Sequence, residues 1–397
     1  MKVLLITQHF PPEIGAASNR MNNIAYYLGK EGVDLTVLTS EPTYPNRRLY
    51  ENSTWEKEDN GLDNIDILRV KNPFKDYSTN KVKRIGLYLN FMLRGILDVI
   101  KNKKRFDAII VTSPPIFAAV IGVVLKKKYK SKLILDIRDL WPDSIKDLKI
   151  FKNDMILKPA YFFEKIMYKR ADKIIINSEG FINPLKSKGI EDNKLVYIPN
   201  GIRSRDLIIN KNDLEKKRDV IEVIYAGTIG YAQGIDSLIE VAKSLKDHKN
   251  ITFKIIGTGV ELEKIEDLAS QYQLNNVKFL GVLSKNEVFT QLSKSHIGFI
   301  HLKDLEVFKT VIPSKIFEYM LAELPIVGGV RGYIANMISE KSVGLISSPY
   351  DVKVMSESIL KLAQDEDMRK EMVNNQRKLL KDEFIWDENI KKLIDLL

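Results

Sequence analysis

The residues best placed by type and spacing to do chemistry are Lys315 and Glu318. They fall in the run Pro313, Ser314, Lys315, Ile316, Phe317, Glu318, Tyr319, Met320. Pro313 suits a first helical turn, where its missing N–H would have no partner in any case. Lys315 then projects from that turn, a position that disfavours a cation unless an anion lies near. A diphosphate supplies such an anion. Glu318 follows three residues later on the same helical face, and a carboxylate there can accept both hydroxyls of a ribose. The rival reading is a surface Lys–Glu helix pair.

A second constellation opens with Tyr225, Ala226, Gly227, Thr228, Ile229, Gly230, Tyr231, Ala232, Gln233 and Gly234. Glycines around a strand-to-helix turn can expose backbone N–H groups to a phosphate. Gly257, between Ile256 and Thr258, marks another such turn. Neither spacing is a Walker loop or a dinucleotide fingerprint, and plain turn formation is the alternative. The turn at residues 8–20 carries His9, Gly15 and Asn19, with Ser18 or Asn19 as a candidate helix cap. Residues 135–144 carry Asp136, Arg138, Asp139, Trp141 and Asp143 behind a strand. Arg138 offers a charged fork for a phosphate or a sugar hydroxyl, and the aspartates could order it or bind sugar hydroxyls. An Arg–Asp pair that fixes a turn is the competing explanation. Ile198, Pro199, Asn200 and Gly201 read as a generic tight turn.

These loops need a scaffold, and the pattern supplies one. Strands are expected near 2–7, 34–39, 65–70, 108–112, 132–136, 173–177 and 195–198, with helices between most of them. The runs are continuously apolar, as in parallel strands buried on both faces. The pattern restarts with strands near 222–226, 252–256, 277–280, 297–300, 325–327 and 344–346. The expected class is α/β, with two doubly wound Rossmann-like domains that face a cleft. The reading gives 1–204 to a first Rossmann-like domain and 205–382 to a second. Residues 383–397 form a helix that packs back on the first domain. The charged stretch 210–219 reads as linker.

Bulk properties narrow the chemistry. The 397 residues suit two or three domains at about 100–200 residues each. The absence of cysteine excludes disulfides, thiolate metal sites and cysteine nucleophiles. The four histidines, His9, His248, His296 and His301, show no metal-binding spacing, so no metal or other cofactor is expected. Neither a signal peptide nor a spanning segment is expected. A net charge of +10 favours anionic partners. Residues 85–100 place Ile85, Leu89, Met92, Leu93, Ile96 and Ile100 at helical spacing amid lysine and arginine. Such a helix suits an anionic membrane surface, or else packs on the core with solvated lysines. Asp365, Glu366 and Asp367 read as a solvated acidic run. No nucleic-acid-binding module is present, so nucleic acid is not an expected partner.

Taken in order, these motifs resemble glycosyltransferase family 4, a group of retaining enzymes of the GT-B fold, over essentially the whole chain. The resemblance rests on residues 9–20, 112–115, 138–144, 198–201, 225–236 and 313–320. It lies nearest to bacterial N-acetyl-L-fucosamine transferases of capsule and O-antigen synthesis. It implies a UDP-sugar donor on the second domain and a polyprenyl-diphosphate-linked saccharide acceptor. The protein would be cytoplasmic, at the inner face of the bacterial membrane. Glu318 matches the second glutamate of the family's Glu-x7-Glu motif, while the first position holds Thr310. The family's diphosphate-binding arginine and lysine positions hold Thr228 and Gln233, and its first-domain histidine position holds Arg138. Phosphate neutralisation then falls to Lys315 with backbone N–H groups. The catalytic set implied is Arg138, Asp139, Lys315 and Glu318. Donor binding adds Gly15, Gly227, Thr228, Gly230, Gln233, Gly257 and Ser314. The acceptor side takes His9, Asn19, Asp136 and Trp141. Alternatives are a UDP-sugar epimerase of GT-B shape and a non-catalytic nucleotide-sugar-binding homologue.

Overall fold

The computed structural model describes residues 1–13, 15–44, 47–50, 65–73, 81–149, 154–209 and 220–397. The stretch 210–219, read as linker, lies outside them. Packing divides the chain into two compact units, Met1–Asn200 with Trp386–Leu397, and Gly201–Ile385. The boundaries set by contact therefore stand a few residues from those read at 204/205 and 382/383.

The first unit carries strands β1 (Lys2–Ile6), β2 (Asp34–Ser40), β3 (Asp66–Val70), β4 (Ala108–Ser113), β5 (Lys132–Ile137), β6 (Lys173–Ile176) and β7 (Leu195–Tyr197). Its helices are α1 (Ala16–Lys30), α2 (Lys81–Lys101), α3 (Ile116–Tyr129), α4 (Asp143–Asp147), α5 (Lys158–Arg170) and α6 (Ile182–Ser187). The second unit carries β8 (Ile221–Ala226), β9 (Ile251–Ile256), β10 (Val277–Gly281), β11 (Ile297–His301), β12 (Ile326–Gly329) and β13 (Gly344–Ser347). Its helices are α7 (Ser204–Ile209), α8 (Asp236–Ser244), α9 (Leu262–Gln271), α10 (Lys285–Lys294), α11 (Lys315–Leu321), α12 (Tyr333–Glu340), α13 (Val352–Gln364) and α14 (Glu366–Glu383). The chain then returns to the first unit through α15 (Trp386–Ile394).

Each sheet is parallel, and each is doubly wound. The first runs β3-β2-β1-β4-β5-β6-β7 and the second β10-β9-β8-β11-β12-β13. Leu4 lies opposite Thr36 on one side and Ile109 on the other. Val3, Leu4, Leu5 and Ile6 are all buried, because helices cover both faces. Met21 and Ile24 of α1 and Trp386, Ile390 and Leu393 of α15 pack with Val3, Leu5 and Val37 on one face. Helices α2, α3 and α5 lie side by side on the other.

In the second unit, Tyr319 of α11 is wholly buried. Its hydroxyl donates to the Phe299 carbonyl at 3.0 Å and accepts the Ala226 N–H at 3.1 Å. A Cβ on Gly298 would lie 2.5 Å from this ring, so the strand must carry glycine there. This packing fixes the start of α11 against β8 and β11. The acidic run at 365–367 begins α14, where the Asp365 carboxylate accepts the Met368 N–H as a helix cap.

Candidate active site

A doubly wound sheet binds ligands at the carboxyl ends of its strands, where the strand order reverses. The second sheet reverses between β8 and β11. Gly227 and Thr228 follow β8, while Lys315 and Glu318 lie beyond β11 on α11. The two sequence constellations thus meet at one switch point. The Lys315 Nζ stands 3.6 Å from the Tyr225 ring centroid, within cation–π range. It lies 3.2 Å from where a Cβ of Gly227 would be, so a side chain at 227 would press on the amine. Gly227 also has φ +140°, a conformation that favours glycine.

The Lys315 Nζ is buried and has no hydrogen-bonding partner among the described residues. Burial lowers its pKa to about 7, against a weaker opposing pull from Glu318. An anion placed beside this amine would restore its charge. Glu318, one turn along α11, is exposed. Partial desolvation raises its pKa, with Lys285 and Lys315 opposing. The Tyr225 hydroxyl donates to the Thr228 carbonyl at 2.6 Å, which locks the glycine loop over the ring.

The loop amides do not form the phosphate cradle expected from the sequence. The N–H groups of Gly227 and Ile229 donate to Ile256 and Thr258 carbonyls, and Gly257 donates to Gly281. The Gly230 N–H donates to the Gln233 Oε1 at 3.2 Å. Thr228 alone in 227–230 has no such bond among the described residues. The glycines serve close packing instead. A Cβ on Gly257 would fall 1.9 Å from the Gly227 carbonyl oxygen. His301 secures the same loop: its Nδ1 bonds the Gln233 carbonyl at 2.8 Å, and its Nε2 accepts the Tyr350 N–H at 3.2 Å. Ser314 is the exposed N-cap of α11, without a side-chain capping bond, and Pro313 stands just before it rather than inside the helix.

The first sheet reverses between β1 and β4. A pocket of about 270 Å³ lies there, lined by His9, Glu13, Gly15, Ala16, Ala17, Ser18, Tyr44, Tyr88, Pro114, Pro115 and Arg138. It brings His9, Gly15 and Arg138 together. The buried Glu13 carboxylate bonds the His9 Nδ1 at 2.6 Å and accepts the Thr43 and Tyr44 N–H groups. The His9 ring packs edge-on to Tyr44. Arg138 donates from Nε to the Thr112 hydroxyl at 2.7 Å and from its guanidinium to the Pro114 carbonyl. These bonds hold the fork at the pocket wall.

Other first-unit residues fall elsewhere. Asp136 is fully buried and forms a two-oxygen pair with Arg20, at 2.6 Å for the closest contact. It therefore holds Arg20 and meets no acceptor. Arg20 in turn reaches Asn200 and the Ile198 carbonyl and stacks on Trp386. Asn19 is exposed on α1, and neither it nor Ser18 caps that helix; Gly15 stands at the cap without a side-chain bond. Asp139 and Trp141 sit in the loop after β5 and do not line the pocket. Burial raises the Asp139 pKa, with a Ser144 hydrogen bond opposing. Asp143 is held by Tyr161 and Lys188. The sequence assigned no role to Glu13, Tyr44, Tyr88 or Tyr225. Glu13 carried one usable signal, its four-residue spacing from His9. Among the described residues, no cluster of three or more acidic or histidine side chains could hold a metal.

Known proteins share this two-unit fold. Residues 15–201 match the model "Glycosyl transferase 4-like domain", and residues 206–379 match "Glycosyl transferases group 1". WcaI of Escherichia coli K12, a glycosyl transferase assigned to colanic acid biosynthesis, is 24% identical over 332 residues, covering 80% of each chain. CapM of Staphylococcus aureus, a capsular polysaccharide biosynthesis glycosyltransferase, is 26% identical over 75% of this chain and 79% of its own. The crystal structure of Anabaena Alr3699/HepE in complex with UDP superposes with a TM-score of 0.71 at 14% identity, covering 100% of this chain and 99% of that one. With its two halves matching glycosyltransferase domains in series, the chain is a glycosyltransferase of the GT-B fold.

Proposed function

We propose that the protein transfers a sugar, with retention of anomeric configuration, from a UDP-sugar to a lipid-linked saccharide in capsule or O-antigen synthesis. The observation that carries the donor half is the buried, unpartnered Lys315 Nζ over Tyr225 at the switch point of the second sheet. A diphosphate would pair with that ammonium as the leaving group departs, an electrostatic contribution of the oxyanion kind. Glu318 is suited to accept the ribose hydroxyls. HepE, which shares this fold, was crystallised with UDP.

The donor sugar we favour is an N-acetylated deoxyhexosamine such as N-acetyl-L-fucosamine. The acceptor is a polyprenyl-diphosphate saccharide at an anionic membrane surface, and the first-unit pocket with His9 and Arg138 would receive its sugar end. The relatives assigned to colanic acid and capsular polysaccharide support a polysaccharide role. No helix among the described residues is long and apolar enough to cross a membrane, so contact with a lipid-linked substrate would be made at the surface. The test is transfer of label from a panel of UDP-N-acetylhexosamines into the lipid extract of bacterial membranes. Protein-dependent labelled lipid supports the reading. Release of a free isomerised sugar without any acceptor would point to an epimerase instead.

A further inference from the structure

Helix α2 is apolar on two opposite faces. Leu87, Phe91 and Val99 are buried against the core. Ile85, Leu89, Leu93 and Leu97 form a second stripe at four-residue spacing, and these four are 40%, 38%, 57% and 53% exposed. The two stripes are offset by two residues, about 200° around the helix. A core-facing helix needs only the first. The sequence pattern at 85–100 picked out Ile85, Leu89 and Leu93 of the exposed stripe and none of the buried one.

The neighbouring helices continue the exposed band. Val124 on α3 and Phe162 and Phe163 on α5 are 40%, 63% and 40% exposed, and α3 packs against both α2 and α5. Each stripe ends on exposed base. Lys101 continues the spacing of Leu93 and Leu97, Lys128 follows Val124 by four, and Lys165 and Lys169 follow Phe162 by three and seven. The three helices each lead from the carboxyl end of one parallel strand to the start of the next, so they run in the same direction. Their lysine ends therefore line up along one edge of an apolar band. Acidic side chains are scarce here. Helix α3 contains none, Glu164 of α5 is buried against Lys188, and Asp98 is the one exposed acid of α2. Lys104, just beyond α2, is by contrast paired with Asp66 at 2.5 Å.

We infer that the α2–α3–α5 face docks on the surface of an anionic phospholipid bilayer, with Leu93, Leu97 and Phe162 entering the headgroup boundary and the lysine row meeting lipid phosphates. Side chains of this kind divide that way, apolar bodies inward and ammonium ends at the charged layer. A second copy of the chain is a poorer occupant, because it would bring an equal row of positive charge to the same face. This deepens the membrane half of the proposed function and rests on that reading for its purpose.

The experiment is flotation of the purified chain with vesicles of phosphatidylcholine alone or mixed with phosphatidylglycerol, at physiological salt. The variants are Leu93→Ser with Leu97→Ser, Phe162→Ser with Phe163→Ser, and Lys101→Gln with Lys128→Gln. Because all these side chains are exposed, the variants should fold, and the UDP thermal response of each sample checks it. The wild type should float only with the anionic vesicles. Each apolar pair should cost at least about tenfold in partition, and the lysine pair about thirtyfold. Equal flotation of variants and wild type, or equal binding to neutral vesicles, would overturn the inference. So would self-association in the absence of lipid that the leucine pair abolishes. Loss of the UDP response in the wild type would sink the donor reading and leave the vesicle result standing.

Discussion

The titration of Lys315 makes a quantitative claim about donor binding. Its free pKa is near 7 because its amine is buried without a partner. A diphosphate beside it would restore the charge and raise that pKa toward the ordinary lysine range. UDP binding then takes up a proton, and affinity falls as pH rises above the free pKa. At pH 7 half of the free protein has the ammonium ready, and at pH 9 only about 1% does. The dissociation constant for UDP should therefore weaken about fifty-fold between these values, or about 2.3 kcal/mol. The UDP phosphate itself titrates near pH 6 and is ionised throughout this window. Among the described residues, Glu318 is the charge that acts on the amine, and Tyr225 is held neutral by burial. Isothermal titration calorimetry at pH 7, 8 and 9, in buffers of different ionisation enthalpy, reads both the affinity and the proton uptake. Lys315→Met should bind weakly with little dependence on pH. A flat wild-type profile, or an equal slope in Lys315→Met, would refute the reasoning.

Further outcomes follow from the same contacts. Glu318→Gln should raise the KM for the UDP-sugar about tenfold or more, since a hydrogen bond to a charged group contributes about 1.5–3 kcal/mol; initial-rate kinetics checks it, and an unchanged KM removes Glu318 from the ribose site. Lys315→Met should also stabilise the free protein. The folded state sheds this proton near pH 7 while the unfolded chain keeps it to about 10.5, so wild-type stability rises with pH between them, and the variant's advantage should shrink by about 2.7 kcal/mol from pH 6 to pH 9 in urea titrations. Asp136→Asn should cost about 3–5 kcal/mol by leaving the Arg20 guanidinium buried without its charge partner; a loss below about 1 kcal/mol would mean Asn200 and Ile198 suffice. Gly257→Ala should abolish UDP binding, because its Cβ would meet the Gly227 carbonyl 1.9 Å away, and unchanged calorimetry would show that the loop can yield.

The sheets were legible in the sequence because their strands are buried on both faces and so read as unbroken apolar runs. The stretch from Val3 to Ile6 is the plainest case. The pairing of residues 225–234 with 313–320 was legible as well, because the composition at each turn implied an anion. What the glycines do was not legible. A glycine that exposes an N–H and one that admits a carbonyl look the same in sequence, and Gly257 proved to be the second kind. Asp136 was misread for a related reason: its partner, Arg20, lies 116 residues away. The two faces of α2 share one periodicity, so only burial separates a core position such as Phe91 from an exposed one such as Leu93.

The proposed function requires that the Lys315–Glu318 site hold a uridine diphosphate. A thermal-shift panel of UDP, UDP-N-acetylhexosamines, GDP, ADP and NAD tests it most directly. UDP and its sugars should stabilise the protein, by about 2.7 kcal/mol at a hundredfold excess over Kd, and NAD should not. No response to any uridine nucleotide, or an equal response to NAD, would contradict it.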